Sequence, residues 1–172
     1  MTTQRTGDLP RERADLLESL ATQRYLFRLT LDGLDDAQVR SRPTRSELSL
    51  GGLVTHVTLM ERQWAGFVVD GPSAMAEDEA GQAAFDASFT LPGGTSLAEA
   101  LEAWDAAAAA TDELVRTVDL DATQPLPDAP WFPPGAVRSA RRAFVHLTAE
   151  IAQHAGHADM LREHIDGAKT MG

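Results

Sequence analysis

The segment Glu150 to Glu163, EIAQHAGHADMLRE, places a carboxylate and two imidazoles within eight residues, and His146 and His164 lie just outside it. Four of the five histidines therefore crowd one stretch of chain. If that stretch is helical, counting 100° per residue from His146 puts Glu150 at about 40°, His154 at about 80°, His157 at about 20° and His164 near 0°. All five groups share one narrow face. The apolar residues Ala140, Ala143, Phe144, Leu147, Ile151, Ala155, Ala158, Leu161 and Ile165 fill roughly 60° to 180° of the same wheel, so Glu150 and His154 are the polar members nearest the core. One turn apart, they can share a small cation. Taken alone, such a pair more often makes a plain hydrogen bond.

A third ligand has to come from another element, and the only histidine outside this segment is His56, in LVTHVTLMER. His56, Glu150 and His154 are the candidate metal ligands. Three nitrogen and oxygen ligands with a fourth position left over suit an open catalytic zinc site better than a closed structural one, and nickel, iron or manganese accept the same donors. His157 is expected either to support a ligand from behind or to touch substrate. His146 and His164, farthest from the apolar arc, are expected on the solvated face.

Four long helices can be read to position these groups. The first begins near Pro10, carries Leu16, Leu17, Leu20, Phe27 and Leu31 at three-to-four spacing, and breaks at Asp32-Gly33. A polar loop with Pro43 follows. The second takes Ser49 as N-cap, puts Leu50, Leu53, Val54, Val57, Met60, Trp64, Phe67 and Val68 on one stripe, and stops at Asp70-Gly71-Pro72. Residues 71–94 read as an ordered connection with a short helix around Glu77 to Phe85 and a Pro-Gly-Gly exit. The third helix opens on Ser96 and Glu99 in capping-box spacing and runs to Val118. Asp119 to Val137 holds five prolines and reads as a long crossing loop, pinned by Trp131 and Phe132. The last helix spans about Arg138 to Ile165, with Asp166-Gly167 as its stop. Strand-like alternation is absent. The expected fold is all-α, a four-helix bundle with long crossover connections forming one domain over residues 1–172. Trp64, Trp104 and Phe67 belong to its core, and Trp131 is a loop anchor rather than a lining of a pocket mouth.

Composition narrows the function. A formal net charge of -11 and a pI near 4.7 disfavour nucleic acid and anionic membrane as partners. The N-terminus has no apolar signal core and no run of residues is long enough to span a bilayer, so a cytoplasmic location is expected. There is no cysteine; thiol chemistry would need a thiol brought by a cosubstrate. A di-iron bundle is excluded, since the sequence lacks the two Glu-x-x-His elements it needs. A homodimer stays open.

The segment HLTAEIAQHAGHADMLREHIDG closely resembles the last-helix signature of the DinB-like superfamily, in particular its mycothiol-dependent S-transferase-like branch. SLGGLVTHVTLMERQW resembles the second-helix signature of the same superfamily. The likeness covers nearly the whole chain. It implies a four-helix bundle that binds a divalent metal through one residue of the second helix and two of the last, which fall on His56, Glu150 and His154. Many members have histidine where Glu150 stands; glutamate there resembles the mycothiol-dependent maleylpyruvate isomerase type. That isomerase carries a further domain after its bundle, whereas this sequence stops at Gly172, so the isomerase reaction is not carried over. The resemblance implies that mycothiol or a similar thiol ionises at the metal and attacks an electrophile. Metal-dependent hydrolysis, or a bundle that only binds metal or a small ligand, remains as an alternative.

Overall fold

The computed structural model describes residues 9–75, 78–130 and 132–170. Six α-helices lie among them. The first, α1, runs Arg11–Leu29 behind Pro10 and buries Leu20, Arg24 and Phe27. The second, α2, is the short Asp36–Arg40, set by a capping box between Asp35 and Gln38 and burying Val39. Sequence reading takes this stretch for loop, because five residues are too few to show an apolar stripe. The third, α3, is Leu50–Asp70, and its Ser49 cap accepts a hydrogen bond from the Gly52 amide. Its first turn is glycine-rich for a steric reason: a Cβ on Gly52 would stand 2.0 Å from the Phe89 carbonyl oxygen, and one on Gly51 would stand 2.9 Å from Leu91. The bare helix surface thus lets residues 89–91 lie directly against it.

A 3₁₀ turn, Gly71–Ala74, follows, then α4 at Glu79–Ser88 and α5 at Leu97–Thr117. Both reciprocal bonds of the Ser96 and Glu99 capping box are made. The sixth helix, α6, spans Ala140–Asp166 and ends on Gly167, whose φ of 81° is the left-handed conformation that glycine adopts without steric penalty.

The proline-rich crossing differs from its reading as a plain loop. Two short strands, β1 at Thr123–Pro125 and β2 at Val137–Ser139, pair antiparallel with Gln124 opposite Arg138. The described residues between the strands, 126–130 and 132–136, therefore belong to a hairpin-like excursion tied at its base. Because Val137–Ser139 is paired, α6 starts at Ala140 with Ser139 as cap, two residues later than the sequence suggests. Phe132 lies 5.6 Å from the Arg138 guanidinium; Trp131 lies outside the described residues.

Around the bundle, α1 packs against α5 and α6, and α3 packs against the same two helices. The successive long helices α1 and α3 therefore occupy one diagonal, and α5 and α6 the other. The connections between them have to cross an end of the bundle, as the all-α reading with long crossovers expects. One apolar cluster fills the centre, with Phe27, Val54, Val57, Phe67, Trp104, Phe144, Leu147 and Ile151 essentially sequestered from water. Each such side chain contributes about 1.5–3 kcal/mol relative to exposure. Arginines fix the crossings by donating to backbone carbonyls: Arg40 to Leu91 at 2.7 Å, Arg162 to Thr30 and Asp32 at 3.0 and 2.8 Å. No helix among the described residues is long and apolar enough to cross a membrane.

Candidate metal centre

His56 projects from α3, and Glu150 and His154 project from α6, across the α3–α6 contact. One ligand atom from each lies within 4.8 Å of the others. His56 is 2% and His154 8% exposed, while Glu150 is half-buried. The three residues that helical spacing singles out are therefore neighbours in space.

Hydrogen bonding sets which nitrogen of His56 faces inward. The Ser88 hydroxyl donates to the Phe85 carbonyl at 2.5 Å, so toward His56 it can only accept. The His56 Nδ1–H donates to it at 2.9 Å, which leaves the Nε2 lone pair of His56 free. The ring is clamped by Phe89, stacked at 4.0 Å with 18° between planes, and by the edge of Phe85 at 5.4 Å. His154 meets His56 edge-on with 4.7 Å between ring centroids.

On α6, His154 Nδ1 faces His157 Nδ1 at 3.4 Å, and His154 Nε2 stands 3.8 Å from Glu150 Oε2. That separation is too long for a hydrogen bond. The other Glu150 oxygen, Oε1, lies 3.3 Å from His146 Nε2. Burial pushes His56 and His154 down to about 4, with each helped by a neighbouring imidazole, and the same burial pushes the Glu150 carboxyl up. Both rings are thus neutral at neutral pH. When His154 donates its Nδ1–H to His157, the inward set consists of two imidazole lone pairs and one carboxylate oxygen. A small cation is the partner that such an all-acceptor set fits.

His146 departs from its expected place. It is half-buried, its ring meets Trp64 at 4.5 Å, and it is held to about 4 by burial and by the nearby Arg138 and Arg142 guanidiniums. The wheel assigned it to solvent because it counts only the core of the bundle, whereas α4 and the proline-rich hairpin build a second wall over this face. His164, by contrast, is exposed and bonded to the Met160 carbonyl at 2.8 Å.

Spacing also missed Ser88 and Phe89, which hold His56. The one sequence signal that bears on them is the Gly51-Gly52 pair, which marks a close approach without saying by what. Beside Glu150 and His146 opens a cleft of about 540 Å³ between α3, α4 and the hairpin.

Residues 15–167 match the family model described as Mycothiol-S-transferase. Among solved structures, the chain resembles a conserved protein from Enterococcus faecalis, with a TM-score of 0.63 at 15% identity over 89% of this chain and 96% of that one; at that identity the likeness concerns the fold. No curated protein matches the sequence.

Proposed function

Since the chain belongs to the mycothiol S-transferase family by its match over residues 15–167, we propose that it joins an electrophile to the sulfur of mycothiol or a similar low-molecular-weight thiol at a divalent-metal centre held by His56, Glu150 and His154. The observation that carries this reading is the convergence of one potential ligand atom from each of three residues, within 4.8 Å of one another, beside a cleft large enough for a small molecule.

A divalent cation held there would lower the pKa of a thiol brought to its remaining position and so supply a nucleophile at neutral pH without any protein cysteine. Zinc suits two imidazoles and a carboxylate; nickel, iron and manganese accept the same donors. The chain's own residues do the rest. His56 and His154 are already neutral, so they bind without shedding a proton. Ser88 holds His56 through Nδ1, and His157 stands behind His154 at the corresponding atom, where an Nδ1–H donated from His154 would leave its Nε2 for the cation. His146 engages one Glu150 oxygen, which leaves the other for the ligand set. The Glu150 charge offsets part of the cation's, so a thiolate would bring the site close to neutrality and the product could leave readily. A thiol of this class is kept reduced inside the cell, so the reaction would run in the cytoplasm.

The test is metal analysis of protein purified without added metal, followed by turnover of an electrophile panel with and without mycothiol. About one metal per chain and thiol-dependent product are expected. Metal-dependent hydrolysis of the panel without thiol, or bound metal with no turnover at all, would replace this reading.

A further inference from the structure

Resting on that reading, we propose that the electrophile is a neutral molecule with an apolar, aromatic-sized body. It lies in the cleft between α3, α4 and the proline-rich hairpin with its reactive carbon toward Glu150. The walls carry the argument. Met60 and Trp64 come from α3, Phe85 from α4, Met75 from the chain after the 3₁₀ turn, and Phe132 from the hairpin. Thioether and aromatic surfaces of this kind favour a flat, polarisable ligand, and about 540 Å³ holds one comfortably.

Charge points the same way. The described lining includes two carboxylates, Asp128 and Glu150, one imidazole already engaged by Glu150, and no lysine or arginine. A carboxylate on the electrophile would leave water beside Asp128 without a counter-charge, and the position left by the ligand triad is the one the sulfur takes. Arg138 does not line the cleft. Its guanidinium lies over the ring faces of Trp64 and Phe132 at 4.6 and 5.6 Å, where it braces the aromatic wall; its Nη1 is buried without a hydrogen-bond partner, which makes Arg138 the rival anchor for a carboxylate that the test has to separate.

With an aryl chloride as the electrophile, the thiol proton passes to solvent, the sulfur forms a bond to the ring carbon bearing chlorine, and chloride leaves with the electron pair of the broken bond.

The test compares matched neutral and carboxylated probes in two arms. In the first, meta-dinitrobenzene and dinitrobenzoate, which cannot react, are titrated against metal-free and metal-loaded protein by quenching of tryptophan fluorescence. In the second, chlorodinitrobenzene and chlorodinitrobenzoate are turned over with mycothiol. The neutral member should bind and react at least about tenfold better, and Asp128→Lys, at an exposed rim position, should narrow that gap several-fold. Equal or better handling of the carboxylate overturns the proposal while leaving thiol transfer standing. If that preference disappears in Arg138→Met, the guanidinium is the carboxylate anchor instead. Selective binding of the neutral probe with no thiol turnover of any electrophile leaves the proposal for the cleft in place and removes the reaction.

Discussion

Glu61 and His56 stand on the same helix and are both buried, at 0% and 2% exposure, but their surroundings are built in opposite ways. Glu61 is closed in by donors. Arg24, reaching from α1 across the bundle, gives it one guanidinium hydrogen bond, and Trp104 of α5 gives its indole N–H at 2.8 Å. Arg24 also binds Asp112 at 2.8 Å, so the cluster ties α1, α3 and α5 together and leaves only Arg24 Nε without a partner among its buried atoms. Around His56 the groups brought together are a second neutral imidazole, His154, and the Glu150 carboxyl. A polar cluster that satisfies itself holds helices in register; one built of two neutral imidazoles and a carboxylate is a candidate to hold a cation. One face of α3 serves the fold, and the other carries the proposed ligand site.

Breaking the closed cluster should have the largest effect on stability. Glu61→Ala strands the Trp104 N–H and one arm of the Arg24 guanidinium in the core, leaving Arg24 only the half-buried Asp112, and removal of one partner from a buried pair costs about 3–5 kcal/mol. Chemical denaturation should show that loss, with Glu61→Gln falling between, since it keeps an acceptor for Trp104. A change below about 1 kcal/mol, the scale of an exposed ion pair, would mean that the two clusters are not different in kind.

The open cluster should respond the other way. His154→Ala removes a desolvated imidazole whose one hydrogen-bond partner, His157, is part-buried, so the metal-free protein should lose less stability than Glu61→Ala does, while metal affinity drops by more than the roughly 10- to 100-fold that a lost supporting hydrogen bond costs. His164→Ala should leave affinity unchanged. Chelating the wild type should abolish thiol transfer and preserve helicity, because the apolar core does not depend on the metal and binding adds only the stabilisation that mass action gives. Circular dichroism before and after chelation measures this; collapse of the helices would make the centre structural.

The two clusters were not equally visible in the sequence. His56, Glu150 and His154 could be found because α6 repeats its polar groups at helical spacing and histidine is rare in this chain. The long helices were legible from their caps: Ser49, Ser96 with Glu99, and Gly167 all sit where the pattern put them. Glu61 and Arg24 gave no such signal, since a single charged residue on a helix reads as solvated until the packing shows what it faces. The same limit hid Ser88 and Phe89, whose role depends on how α4 docks on Gly51 and Gly52, and it placed His146 in solvent. Helix α2 was too short for periodicity, and the paired strands of the hairpin are three residues each, below the length at which alternation can be seen.

A smaller effect should follow from Ser88→Ala. The hydroxyl that receives His56 Nδ1–H is lost, the ring is freed to rotate or change tautomer, and metal affinity should weaken by about tenfold, the low end for a residue acting through a ligand. Titration of metal into the two proteins, with kcat compared at saturating metal, reads this out. An unchanged affinity would mean that the Phe89 stacking alone holds the ring.

The mildest expectation concerns acid. His56, His146 and His154 are held at about 4 in the folded protein, while an unfolded histidine titrates near 6.5. Between those values the unfolded chain binds three protons that the native state refuses, so stability rises with pH across that window. It is fully present above about 6.5 and is lost progressively as pH falls toward 4. Glu150, pushed up by burial, acts in the opposite sense just above the ordinary carboxylate range and offsets part of the slope. Glu12, Asp121 and Asp166, held down by arginine, add their own loss only at lower pH. Denaturation midpoints of the chelated protein should therefore decline from pH 6.5 downward. His146→Gln removes one of the three titrating rings and should flatten that decline by about a third. A decline of undiminished slope in His146→Gln would return that ring to solvent, where the helical wheel first put it, and would leave the acid sensitivity to the two histidines of the open cluster.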